Sequence, residues 1–143
     1  MSSNTVFEKI INREIPRFFL FENKDCIAIL DVFPLRDGHT LVIPTKPHTH
    51  IQDLTSNELK ELMIGVKKAQ EMLGQHFDTE DFTVAIHDGP LAGQEIPHVH
   101  IHVIPRQQGD GGGSLPLMWP NRERFTSPPL KSLEALHENL TKT

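Results

Sequence analysis

Residues 97–104 read Pro-His-Val-His-Ile-His-Val-Ile, and this stretch decides how the rest of the chain is interpreted. Imidazole and aliphatic side chains alternate in it, which is the period of a β-strand whose two faces differ. We therefore predict a strand over residues 98–104 that ends at Pro105. His98, His100 and His102 should share one face and line a cleft, while the aliphatic side chains between them pack into the core.

Three interpretations of this histidine face are open. It can be a polar strand face that happens to be rich in histidine. It can bind a metal ion, although the outer two backbone positions lie about 13 Å apart, which strains convergence of all three on one zinc. It can carry nucleophilic catalysis, because a neutral imidazole attacks phosphorus at pH 7 while its neighbours hold phosphate oxygens and protonate the leaving group. Further ligands for a metal would have to come from His39, His48, His50 and His87.

Short apolar runs elsewhere predict four more strands. The first three span residues 18–21, 26–32 and 39–43, separated by a polar turn at 22–25 and an Asp-Gly turn at 37–38, which is typical of an antiparallel meander. A fourth run at 82–86 is followed by a loop rich in glycine and proline, residues 88–93. Together with the histidine strand, these runs predict five strands.

Helical spacing appears in three places. Apolar residues at 6, 7, 10 and 11 predict a short helix that ends before Pro16. Thr55 and Glu58 form a capping box at the start of a long amphipathic helix over about 55–76. Ser127, followed by two prolines, is predicted to cap a short amphipathic C-terminal helix. We therefore predict an α+β fold: a five-stranded, mostly antiparallel sheet with one long helix and a short N-terminal helix, the helices lying on one side.

The chain has 143 residues and a formal net charge of −5, which argues against non-specific binding to nucleic acid. The single cysteine, Cys26, excludes an internal disulfide framework. No apolar run is long enough to span a membrane, and residues 1–9 lack the features of a secretory signal. We expect a cytoplasmic protein, with nuclear entry open to a small dimer. Residues 1–120 should form one domain and residues 121–143 a C-terminal extension.

The histidine stretch and several other segments resemble the histidine triad (HIT) superfamily of nucleotide hydrolases and transferases. Residues 38–44 (GHTLVIP), residues 92–97 (AGQEIP) and residues 7–16, with their "F-KII…EIP" pattern, are similar to the family's motifs in the family's order. Met118-Trp119-Pro120 resembles the end of the Hint branch, whereas residues 88–94 resemble the Fhit branch. The resemblance implies a HIT-like fold, a homodimer, and a cleft for a purine nucleoside monophosphate derivative in each subunit.

The resemblance also implies a role for each motif residue. His100 would be the nucleophile, His102 would contact the α-phosphate or help the leaving group, and the carbonyl of His98 would orient His100. His39 matches a fourth histidine of the site, and Asp31 matches the acidic residue that holds the ribose hydroxyls. The remaining residues implied to bind the nucleotide are His87, Gly93 and Gln94 near the phosphate, and Val6, Phe7, Ile10, Ile29, Leu30 and Val32 around the base.

Two departures from the family pattern affect what we expect. His87 stands where Hint-like members usually carry asparagine and Fhit-like members glutamine. Thr5 and Glu8 occupy the positions of a cysteine pair that binds structural zinc in many bacterial relatives, so neither this zinc nor a cofactor is expected. The predicted activity is that of an adenosine 5′-monophosphoramidase, acting through a nucleotidyl-histidine intermediate. The alternatives are a Fhit-like dinucleoside polyphosphate hydrolase and a nucleotide-binding interaction module with little turnover.

Overall fold

A computed structural model describes residues 4–122 and 127–142 of the chain. The chain divides into two compact units, Met1–Asp110 and Gly111–Thr143. The division falls at the glycine-rich segment, ten residues before the boundary we set at residue 120, while the assignment of a functional domain to residues 1–120 stays a prediction. None of the helices in the described part of the chain combines the length and apolar character that a bilayer crossing requires.

The first unit is built on one antiparallel sheet, which confirms the α+β prediction. The first three strands form the expected meander, and the last strand inserts beside the third, giving the order β1-β2-β3-β5-β4. His102 is thereby paired with Leu41 on one side and Ala85 on the other, near the centre of the sheet. The strands are β1 Phe19–Glu22, β2 Cys26–Leu30, β3 Thr40–Pro44, β4 Phe82–Ala85 and β5 Ile101–Pro105; the helices are α1 Val6–Ile11 and α2 Ser56–Phe77.

The two helices cover opposite faces of this sheet, so the prediction that they lie on one side was wrong. Helix α2 begins at the predicted capping box, where the Glu58 N–H donates to the Thr55 hydroxyl at 3.1 Å. It packs on the face that carries Cys26, Ala28 and Val42. Helix α1 packs through Phe7 and Ile10 on the other face. Because side chains alternate along a strand, buried residues on both sides of β2 and β3 require a cover on each face.

The histidine strand is shorter than predicted, because β5 begins at Ile101 rather than at His98. The backbone before it is tied to loops instead of to β3. The His98 N–H donates to the carbonyl of Ile96 at 2.7 Å, and the Val99 N–H donates to the carbonyl of His48 at 2.7 Å. The aliphatic residues of the stretch are nevertheless buried in the core on the α2 side, as expected.

The second unit contains a 3-10 helix, Leu115–Met118, and helix α3, Leu130–Thr141. Helix α3 confirms the predicted C-terminal helix, but its N-cap is Pro129 and not Ser127. A residue that precedes proline disfavours the helical region, so the two prolines delay the helix start. The leucines of its apolar stripe are exposed, and Trp119 is 65% exposed.

Candidate functional site

A cavity of about 530 Å³ opens on the α1 face of the sheet. Four histidines line it, namely His39, His87, His100 and His102. A larger depression of about 870 Å³ lies between the C-terminal half of α2 and the start of β4, but no histidine or cysteine lines it. We therefore place the candidate site in the smaller cavity, where side chains able to transfer protons or attack an electrophile are grouped.

His100 has the hydrogen bonding of a neutral nucleophile. Its Nδ1–H donates to the backbone carbonyl of His98 at 2.8 Å, so the proton sits on Nδ1 and Nε2 keeps its lone pair. The side chain is 8% exposed and lies edge-on to Phe7, with 4.9 Å between ring centroids. Burial is the main cause that lowers the pKa of His100 below its ordinary value, which keeps the imidazole neutral at pH 7.

His98 does not line the cavity, which corrects the prediction that all three imidazoles line a cleft. Its ring is fully buried and held at both nitrogens. Nε2–H donates to the carbonyl of Pro44 at 2.8 Å, and Nδ1 accepts from the hydroxyl of Thr5 at 2.9 Å. Burial lowers the pKa of His98 as well, so the ring stays uncharged in its pocket.

His39 and His102 form a chain of hydrogen bonds that starts at the backbone. The Leu35 N–H donates to His39 Nδ1 at 3.0 Å, which leaves the His39 proton on Nε2. That proton is donated to His102 Nδ1 across 2.8 Å, so the proton of neutral His102 sits on Nε2. Burial, helped by the neighbouring imidazoles, lowers the pKa of His102 to about 4. His102 is therefore a neutral hydrogen-bond donor at pH 7.

Asp31 lies at the end of β2 and serves a turn as well as the cavity. Its Oδ1 accepts from the Phe33 N–H at 2.9 Å, and its Oδ2 lies 3.5 Å from His39 Nε2. The carboxylate raises the pKa of His39, but burial lowers it more, and the net direction is downward. Asp31 lines the cavity, so a carboxylate oxygen is available where the ribose was predicted.

One cluster among the described residues brings possible metal ligands together, but the hydrogen bond at His39 opposes coordination by it. Asp31, His39 and His102 each offer a ligand atom, and these atoms lie within 4.8 Å of one another. However, the Leu35 N–H fixes the His39 proton on Nε2, the very nitrogen that would have to coordinate the ion. His48 lies 3.0 Å from a carboxylate oxygen of Glu58, and neither His48 nor His50 lines this cavity.

The loop before the histidine stretch forms one wall of the cavity. His87 belongs to this wall, and its ring centroid lies 5.5 Å from the ring centroid of His102. Gly93 has a φ of +100°, and a Cβ at this position would lie 3.4 Å from His87 Nδ1. Gln94 does not line the cavity: its side chain is buried and donates to the carbonyl of Thr49 at 2.8 Å. The structure thus gives Gln94 the role of a loop brace, and its contact with a nucleotide stays a prediction.

The six residues predicted to form the base pocket all line the apolar part of the cavity. Sequence reasoning did not anticipate Arg17, Phe33 and Leu41, which also line it. It also missed the Leu35 N–H and the Thr5 hydroxyl, which hold the histidines. The spacing of Thr5 and Glu8 matches a capping box, and this signal would have marked Thr5 as the start of α1. The six predicted base-pocket residues in the lining are Val6, Phe7, Ile10, Ile29, Leu30 and Val32.

Comparison with known proteins gives a consistent picture. A family model described as "HIT domain" matches residues 12–109. The chain is 41% identical over 106 residues to an uncharacterized HIT-like protein of Methanocaldococcus jannaschii, covering 74% of this chain and 81% of that protein. It is 35% identical over 118 residues to the adenosine 5′-monophosphoramidase HNT1 of Saccharomyces cerevisiae, covering 82% and 71%.

A second named hydrolase and a solved structure match over similar lengths. The chain is 34% identical over 108 residues to the bis(5′-adenosyl)-triphosphatase of Dictyostelium discoideum, covering 76% of this chain and 71% of that protein. The crystal structure of a HIT family member from Bacillus subtilis superposes with a TM-score of 0.78 at 28% identity, covering 99% of each chain.

Proposed function

Because this chain belongs to the HIT domain family, we propose that it is a nucleotide hydrolase acting at the α-phosphorus of purine nucleoside 5′-monophosphate derivatives. The observation that carries the proposal is the hydrogen bond from His100 Nδ1–H to the His98 carbonyl, which leaves Nε2 free to attack. We assign the phosphoramidase reaction as its activity, supported by the HNT1 relative and by Asp31 at the cavity wall.

The proposed reaction has two steps. In the first, His100 Nε2 forms a bond to the α-phosphorus, and the bond from phosphorus to the amine breaks. The amine leaves with the electron pair of that bond and a proton from water. In the second, water attacks the phosphorus and gives up a proton, which neutralises the hydroxide left by the first step. The bond to His100 breaks, its electron pair returns to Nε2, and the nucleoside monophosphate is released. The phospho-histidine linkage is labile to water, so the intermediate turns over.

The other residues stabilise charge and position in this scheme. His102 donates from Nε2–H to a phosphate oxygen or to the leaving group, because its Nδ1 is occupied by His39. Asp31 accepts from the ribose hydroxyls, and the aliphatic side chains of α1 and β2 hold the base. His87, next to Gly93, lies on the side of the cavity that the leaving group of the substrate would occupy in this scheme.

The test is the release of AMP from adenosine 5′-phosphoramidate by the wild type, His100→Ala and His76→Ala. His76 is an exposed residue of α2 and serves as the matched control. We expect turnover by the wild type and by His76→Ala, and its loss in His100→Ala. Turnover that survives in His100→Ala would refute the nucleophile, and a folded wild type without turnover would refute the phosphoramidase assignment.

A second candidate function is hydrolysis of dinucleoside polyphosphates. The loop over residues 88–94 resembles the Fhit branch, and the Dictyostelium triphosphatase matches the chain nearly as well as HNT1 does. The ratio of kcat/KM for diadenosine triphosphate to that for the phosphoramidate decides between them. Nucleotide binding without turnover of either substrate would support an interaction module.

We also propose that the protein is a homodimer. The family resemblance supports this, and so does β4, an edge strand in which Val84 is 41% exposed, because sheet edges tend to be covered. Sedimentation of the wild type should give twice the monomer mass, and Val84→Lys should shift it toward the monomer. A wild type that sediments as a monomer at assay concentrations would refute the proposal.

A further inference from the structure

We propose that Thr5 is a positioning residue for His100 and that it acts through His98. The Thr5 hydroxyl accepts from the Glu8 N–H at 3.1 Å as the N-cap of α1. The same hydroxyl lies 2.9 Å from His98 Nδ1. A hydroxyl has one proton, and neutral His98 donates its own proton from Nε2 to Pro44, so the Thr5 proton goes to Nδ1.

This bond matters because the carbonyl that orients His100 belongs to the residue whose ring Thr5 holds. The His98 carbonyl accepts from His100 Nδ1–H at 2.8 Å, but residues 98–100 lie outside β5 and its ladder. The peptide that contains this carbonyl is held on its other side by the Val99 N–H, which donates to the carbonyl of His48 at 2.7 Å. The ring of His98, bonded at both nitrogens, is the second anchor of the same residue. Without the Thr5 hydroxyl, the ring can exchange tautomers and turn away from Pro44.

Thr5 thus links two parts of the site that are far apart in sequence. It starts α1, whose Val6, Phe7 and Ile10 line the apolar end of the cavity. Phe7 touches both His98 and His100, with ring centroids 5.5 and 4.9 Å apart, respectively. The residue that fixes the start of this helix therefore also fixes the neighbour of the nucleophile.

The chain provides a matched control for this role. Thr55 caps α2 with the same four-residue box, and its hydroxyl accepts from the Glu58 N–H at 3.1 Å. Thr55 is exposed and makes no hydrogen bond to a histidine among the described residues. Removing the Thr55 hydroxyl therefore tests the loss of a helix cap alone, whereas removing the Thr5 hydroxyl tests the cap together with the bond to His98.

The experiment compares Thr5→Val, Thr5→Ser, Thr5→Gly and Thr55→Val with the wild type, and its kinetic part rests on the proposed function. Glycine is a nearly adequate N-cap, so Thr5→Gly removes the bond to His98 while largely sparing α1. We expect Thr5→Val and Thr5→Gly to lower kcat about tenfold with a smaller change in KM. Thr5→Ser keeps the hydroxyl and should have the kcat of the wild type, and Thr55→Val should leave kcat unchanged.

The second measurement is the 15N spectrum of the imidazole rings, which needs no substrate and tests the proposal even if the wild type is inactive. In the wild type and Thr5→Ser, His98 should show the Nε2–H tautomer and His100 the Nδ1–H tautomer. In Thr5→Gly, His98 should show both tautomers. The substitution keeps Glu8, His48 and the other groups near the His98 ring, so this change would be due to the lost hydroxyl. Wild-type tautomers of His98 in Thr5→Gly would by themselves overturn the proposal. A wild-type kcat in Thr5→Gly, or an equal kcat loss in Thr55→Val, would overturn it as well.

Discussion

Replacing His39 by asparagine or by glutamine separates the two hydrogen bonds that this side chain makes. The amide of asparagine lies near the position of the imidazole Nδ1, so His39→Asn keeps an acceptor for the Leu35 N–H and loses the donor to His102. The amide of glutamine reaches the position of Nε2, so His39→Gln keeps that donor and loses the acceptor. We predict that His39→Asn is the slower enzyme.

The size of the effect follows from the bond to His102 Nδ1, which spans 2.8 Å in a half-buried site. A hydrogen bond of this kind is worth about 1–1.5 kcal/mol, so its loss shifts the tautomer ratio of His102 by about tenfold. In the unwanted tautomer, a lone pair on Nε2 faces the phosphate. A ratio of about 10 to 1 thus falls to about 1 to 1, which halves the population of the active tautomer, and loss of alignment contributes about another tenfold, so kcat should be about 20-fold lower for His39→Asn.

The assay is hydrolysis of adenosine 5′-phosphoramidate at saturation, with thermal unfolding recorded for each variant. Each variant loses one hydrogen bond, so each should lose about 1 kcal/mol and unfold about 3–5 °C lower than the wild type. Stability therefore serves as the control, and kcat separates the variants. A His39→Gln enzyme as slow as His39→Asn, or a His39→Asn enzyme as fast as the wild type, would refute the reasoning.

Three further predictions concern the pH dependence of kcat/KM, the pH dependence of Tm, and the substitution of Gly93. Because burial lowers the pKa of His100, kcat/KM should stay level from pH 8 to about pH 6.5 and decline only below that; a decline centred above about pH 7 would contradict this. The pKa of His102 falls from an unfolded value of about 6.5 to about 4, so the unfolded state binds more protons between these values. The stabilisation is then complete above pH 6.5 and is lost as pH falls toward 4, and Tm should drop between pH 7 and pH 5; an unchanged Tm would contradict the shift. Gly93→Ala should lower activity as well as Tm, because alanine is strained at a φ of +100° and relief of that strain would move the loop that contacts His87, 3.4 Å from the new Cβ. Gly109→Ala, with a φ of +73° and no neighbour within 4 Å, should lower only Tm; equal activities would count against a role for His87.

The sequence predicted the elements whose signal is local. Thr55 and Glu58 mark the start of α2 by their spacing. Alternation in the histidine stretch separates the aliphatic side chains from the imidazoles, although only His100 and His102 of the three reach the cavity. The uninterrupted apolar run of β2 indicates burial on both faces, but the sequence does not show which helix covers which face, because that depends on contacts between segments far apart in the chain. The start of β5 was misjudged for a similar reason, since the partner of the Val99 N–H is the His48 carbonyl, which is distant in sequence.

The candidate site was predictable as a set of side chains but not as a set of protonation states. The resemblance supplied His39, His98, His100 and His102, and three of these line one cavity. Which nitrogen of each ring carries the proton depends on the Leu35 N–H and on the His98 and Pro44 carbonyls. Because every residue has backbone groups, the sequence does not show which of these groups will hydrogen-bond to an imidazole.

The reliance on backbone groups has a consequence for how such a site can evolve. A main-chain N–H or carbonyl is retained by almost any substitution, so the tautomers of His39 and His100 are protected from mutation at the residues that set them. Residues of the opposite wall, such as His87 and Glu95, contact the cavity through side chains and have no such protection. We therefore expect natural variants and directed libraries to change the preferred leaving group readily while the nucleophile stays intact.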